Sequence, residues 1–113
     1  HARAPGKLLL AIASKEKREK SIRGCKFRPR SANTITTADA FRREIRRIQS
    51  DGYALDDEEY AEGLRCVAVP FRIAGENYAV CVSAPSERFT ANFAQILELL
   101  QSLSRSMKLP SFA

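Results

Sequence analysis

The 113 residues carry 19 Lys+Arg against 13 Asp+Glu, a formal net charge of +6, with 44% apolar and 28% charged positions. That is chain enough for one globular domain able to bury roughly two thirds of its unfolded surface, and no apolar run approaches the roughly 20 residues needed to cross a bilayer. Three cysteines (Cys25, Cys66, Cys81) without a Cys-x-x-Cys spacing, and one histidine at the first position, offer no metal ligand set and point to reduced, buried thiols in a cytoplasmic protein. No signal-peptide pattern is read in the chain, and from the start at His1 rather than Met a fragment, a processed form or a trimmed one is expected.

In chain order, Gly6–Ala13 (GKLLLAIA) reads as a short apolar helix, and Ser14 is placed to cap a second helix running through Lys20. Gly24 and Pro29 enforce a loop. Thr36 or Thr37 caps a third helix, with Asp39 near its positive end and Phe41, Ile45 and Ile48 at helical spacing; it ends near Ser50 and is closed by Gly52. Strands are predicted at 53–56, 64–72 and 77–84, the last two joined by a turn carrying Gly75, Glu76 and Asn77. Pro70 marks an edge position, a bulge or a strand end. Ser86 or Thr90 caps the last helix, in which Phe93, Ile96, Leu97, Leu100, Leu103 and Met107 keep a spacing of three and four. The sum is an α+β domain: helices, an antiparallel meander, one helix. Three strands leave a sheet edge unpaired.

Charge is unevenly spread. Residues 1–50 hold 14 Lys+Arg against 4 Asp+Glu, and residues 51–113 hold 5 against 9. The stretch Lys15–Arg30 contains eight basic residues but a single aromatic, Phe27, so it lacks a stacking platform for bases. The arginines of RREIRR (42–47) lie around the apolar stripe of the third helix. A solvated face is the leading reading of these charges, ahead of nucleic-acid contact or pairing with the acidic half.

Asp56, Asp57, Glu58 and Glu59 form the sharpest local feature. Neighbouring carboxylates perform acid–base chemistry when burial separates their pKa values. Strand alternation would set Asp56 and Glu58 on one face, yet no histidine, lysine pair or oxyanion-type glycine loop accompanies them. A surface turn is the default, Arg65 its structural ion-pair partner, and no enzyme is expected. Cys66 alone reads as a core cysteine. Cys81 and Ser83, two apart, share a face.

The strings GYALDDEEYAEGLRCVAVP (52–70) and AVCVSAPSERFT (79–90), with the opening HARAPGKLLLA (1–11), resemble the C-terminal effector-binding domain of the IclR (isocitrate lyase regulator) family of bacterial transcription regulators. The resemblance implies a profilin- or GAF-like domain over residues 1–113, partial because the upstream strands and the winged helix-turn-helix are missing. It also implies no cofactor and no catalysis. On matching positions it makes Asp56 and Cys66 pocket-lining. Cys81 and Ser83 correspond to two positions usually occupied by serine, and Cys81 departs from that pattern. Ala4, Pro5 and Gly6 fall where a small-residue turn offers N–H groups to a ligand carboxylate at a helix start, and Pro5 has none to give. The implied partners are a small organic acid or aromatic effector, a homodimer or dimer of dimers, and DNA only through the missing domain, with no membrane. The competing readings are an oligomerisation or protein-interaction module without ligand, and a basic nucleic-acid-binding module.

Overall fold

Pro5 lies within the first turn of helix α1 (Ala4–Ile12), where its missing N–H is not needed, so this helix begins two residues earlier than its apolar run suggests. The computed structural model describes residues 1–107. Ser14 caps α2 (Lys15–Gly24) by accepting from the Lys17 N–H, and Thr37 caps α3 (Ala38–Asp51) by accepting from Ala40. Gly52 closes α3 in the left-handed region at φ 84°. Three antiparallel strands follow: β1 (Ala54–Asp57), β2 (Leu64–Ile73) and β3 (Glu76–Pro85), in the order β1-β2-β3. Helix α4 (Ser86–Met107) completes the chain.

Two expected details do not hold. Helix α4 begins at Ser86 itself, so neither hydroxyl caps it: the Ser86 Oγ is buried without a partner, and Thr90 sits one turn inside. The β2–β3 turn is only Ala74–Gly75, with Glu76 and Asn77 already in β3. Both turn residues have positive φ, 53° and 80°, as a tight two-residue hairpin of the type I′ kind requires.

The register pairs Asp56 with Cys66 and Cys66 with Ser83, and Ala68 with Cys81. Side chains alternate across a sheet, so these residues share one face with Ala54 and Ala68. That face packs on α1 and α3 through Ala4, Leu8, Ala11, Phe41, Ile45 and Ile48, with Ile22 of α2 at its margin. The other face carries Val67, Val69 and Phe71 against Phe89 and Leu100 of α4. Strand β2 is therefore covered on both sides, which is why Cys66–Val69 reads as an unbroken apolar run. Pro70 is tolerated there because β1 ends opposite Ala68, so beyond that point β2 has one neighbour. The Ser104 hydroxyl donates to the Pro70 carbonyl and ties the end of α4 to the sheet. The outer edge of β3 is unpaired among the described residues.

The basic helices behave as a solvated face with local pairing. Arg42 reaches Glu19 at 3.0 Å, and Arg47 reaches Glu44 and Asp51 at 2.8 and 3.2 Å. Among the described residues no helix is long and apolar enough to cross a membrane.

Candidate functional site

β1 stops at Asp57 because Glu58 turns into the left-handed region at φ 56°. The acidic run is thus half strand and half turn, and the alternation expected of Asp56 and Glu58 does not extend past Asp57. The turn is closed by its own carboxylates. Asp56 Oδ1 accepts from the N–H groups of Glu59 (2.8 Å) and Tyr60 (3.2 Å), and Glu58 Oε1 accepts from Gly63 (2.6 Å). From the preceding loop, Ser31 and Thr34 donate hydroxyls to the Glu58 and Glu59 carbonyls. Asp56 is consequently only 2% exposed rather than part of a solvated turn.

Glu59 folds back toward α1. There Lys7, fully buried, donates to Glu59 Oε1 at 2.8 Å, to Glu44 Oε2 at 2.7 Å and to the Leu55 carbonyl. One ammonium therefore binds the start of α1 to α3, β1 and the acidic turn. Burial pushes the Glu59 carboxyl above the ordinary glutamate value, and Lys7 only partly offsets this. Burial also raises Glu44, but its bonds to Lys7 and then Arg47 outweigh that, and it ends below the ordinary value. The two glutamates differ because Glu44 has two cations and Glu59 has one.

The expected site residues fall into two groups. Asp56, Cys66 and Ser83 form a row across the three strands on the α1 face, with Cys81 beside Ser83. Burial pushes the Cys66 thiol up to about 11, with the Ser83 hydroxyl pulling the other way and Cys81 and Asp56 adding to the rise. Cys81 is exposed, not buried as the cysteine pattern implied, because β3 has no neighbour beyond it; Ser83 is exposed for the same reason, and Cys25 is half-buried. Helix α1 packs on all three strands. Of its opening residues Ala4 is in the core, Pro5 half-buried and Gly6 exposed, and Arg3 makes no side-chain cap. Arg65 pairs with Asp57 at 2.7 Å and Glu58 at 3.4 Å, the structural role expected of it. No cluster of three or more His, Cys, Asp or Glu suited to a metal occurs among the described residues.

Lys7, Glu44 and Tyr60 escaped the sequence reading. The signal for Lys7 was its place on the buried stripe of α1, in step with Ala4, Leu8 and Ala11. Tyr60 stacks under two guanidinium groups, Arg3 at 4.4 Å and Arg30 at 4.0 Å from its ring centre, a contact with no sequence signature.

Helices on both faces of an antiparallel sheet, with a polar row crossing its inner face beneath a helix start, define a small α+β domain. Residues 1–109 match the family model for the bacterial transcriptional regulator IclR C-terminal domain, and the chain belongs to that family. It is 38% identical over 94 residues to the HTH-type transcriptional regulator Rv1719 of Mycobacterium tuberculosis, covering 82% of this chain and 36% of that protein. The crystal structure of the C-terminal domain of Escherichia coli KdgR superposes with a TM-score of 0.82 at 29% identity, covering 94% of this chain and 66% of that one. The inducer-binding domain of a double mutant of PobR from Acinetobacter, in complex with 3-hydroxybenzoic acid, superposes with a TM-score of 0.85 at 25% identity, covering 96% and 66%. The chain spans 35–37% of the length of the first curated relatives, all named as transcriptional regulators. The α+β fold and the regulator family expected from the sequence hold.

Proposed function

We propose that this chain is the effector-sensing part of a cytoplasmic transcription regulator, binding a small organic acid or aromatic metabolite between the sheet and the start of α1. The observation that carries the reading is the row Asp56–Cys66–Ser83 on the face that α1 covers, with Cys81, Ala4, Pro5 and Gly6 as the remaining walls. Asp56 spends Oδ1 on the turn, which leaves Oδ2 for a ligand hydroxyl or a water. Ser83 supplies a hydroxyl at the other end of the row, across Cys66. Gly6 offers an N–H at the positive end of α1 for a carboxylate, where Pro5 cannot. The 3-hydroxybenzoic acid bound by a double mutant of PobR, a structural relative, supports a ligand of this size and charge.

Occupancy shifts the population of subunit arrangements in a homodimer or dimer of dimers, and so the spacing of winged helix-turn-helix domains that contact DNA. Calorimetry against 3-hydroxybenzoate and a panel of short carboxylates tests this. Saturable binding that Ser83→Ala weakens roughly tenfold, by loss of one hydrogen bond to a charged group, is expected. Silence across the panel, or full affinity in the variant, removes the site. Silence would favour the oligomerisation reading, to which the unpaired β3 edge lends itself.

A further inference from the structure

The face of the sheet away from α1 carries a cavity of about 340 Å³ between β1, β2 and the first two turns of α4. Its walls are Leu55, Asp56, Asp57, Arg65, Phe89, Thr90 and Phe93. It meets the row described above only at Asp56, whose Oδ1 is bound in the acidic turn, while Leu55 packs with the α4 side. We propose that this cavity is a second small-molecule site, sharing only Asp56 with the effector reading, and that it takes a small aromatic or branched aliphatic amine.

The apolar part of such a molecule meets Leu55 and the paired rings of Phe89 and Phe93, whose centres lie 5.6 Å apart, with Tyr53 a further 6.2 Å from Phe93. Aromatic faces attract cations and give nothing to anions. The polar rim has the same preference. Arg65 already donates from each of its three nitrogens: Nε to Asp57 Oδ1 at 2.7 Å, Nη2 to Glu58 Oε2 at 3.4 Å, and Nη1 to the Thr90 hydroxyl. With Asp56 and Asp57 against one guanidinium, the cavity lining carries surplus negative charge. Asp57 is 62% exposed, and its Oδ2 has no partner among the described residues, so it is the acceptor left for an ammonium. The volume lies at the small end of ligand pockets and holds one ring with a short chain.

The test is an NMR titration of the ¹⁵N-labelled chain with benzylamine, benzyl alcohol and benzoate. Benzylamine is expected to give saturable shifts at Leu55, Asp57, Phe89 and Phe93 in the millimolar range, benzyl alcohol weaker ones, and benzoate none there. Asp57→Asn, which keeps an oxygen for Arg65 but loses the charge, should weaken benzylamine roughly tenfold, the worth of one charged hydrogen bond. Thr90→Trp, made from an exposed position, should fill the cavity and abolish the response. Thermal melts of both variants establish that they are folded. Absence of saturable benzylamine shifts at these residues overturns the proposal, as do benzoate binding as tightly or a response that survives Thr90→Trp.

Discussion

Asp56 carries two duties on one carboxylate. Oδ1 holds the N–H groups of Glu59 and Tyr60 and so closes the acidic turn, while the side chain as a whole sits in the row facing α1. Removing the acceptor strands two N–H groups, one of them buried, so Asp56→Ala is expected to cost about 1–3 kcal/mol in urea unfolding. Asp56→Asn keeps an oxygen in place and should cost less than half of that. If both variants unfold at the same urea concentration as the parent, the turn does not depend on this carboxylate. The burial of Asp56 was not legible in its neighbours. Four consecutive acids read as solvent-facing, and the N–H groups that compensate this one exist only once the turn has closed around it. Cys66 and Ser83 were legible as a shared face, because alternation and register follow from the strand pattern.

At the scale of elements, the hairpin and the Lys7 junction carry separate expectations. Ala74 occupies a left-handed turn position at φ 53°, a conformation that costs a residue with a Cβ and suits asparagine. Ala74→Asn should therefore stabilise the domain by roughly 0.5–1 kcal/mol, read as a higher unfolding midpoint; a lower one would show that the turn is of another type.

The junction that binds α1, α3 and the acidic turn sets a pH dependence. Glu44 has a lowered folded-state pKa, so its contribution is present above the ordinary value of 4.5 and is lost as pH falls through the folded value. Glu59 has a raised one, so the folded chain holds that proton more tightly, and stability from this group declines as pH rises from 4.5. Urea melts between roughly pH 3 and 7 should find that Glu44→Gln flattens the acid loss of stability. Over the same range Glu59→Gln should steepen the gain above 4.5. Parallel curves for parent and variants would dissociate the junction from acid stability. Helix existence and the Ser14 and Thr37 caps were legible from local chemistry. The start of α4 was not, because it depends on where β3 releases the chain, at Pro85 opposite Leu64.

For the molecule as a whole, the open side is the β3 edge together with the nearby apolar surface. Tyr78 and Val80 on β3, and Leu99 and Leu103 on α4, are exposed large apolar residues. An edge with unpaired N–H and C=O groups beside such residues is a template for association. Sedimentation of this chain is expected to depend on concentration, and Val80→Lys, a charge placed on the edge, should shift it toward the monomer. Sedimentation that is independent of concentration in the parent would remove that expectation.

By itself the sequence determined the order of the elements, most of their limits, the α+β class and the family, since these follow from apolar spacing, turn residues and motif strings that are local in the chain. Tertiary structure alone decided that Lys7 is buried between Glu44 and Glu59, that on one sheet face Asp56 is buried and Cys81 exposed, and that a cavity lies beneath Phe89 and Phe93. The physical reason is distance along the chain. Each of these outcomes depends on groups brought together from separate elements, and a carboxylate, an ammonium or a thiol has no burial preference until its partners arrive.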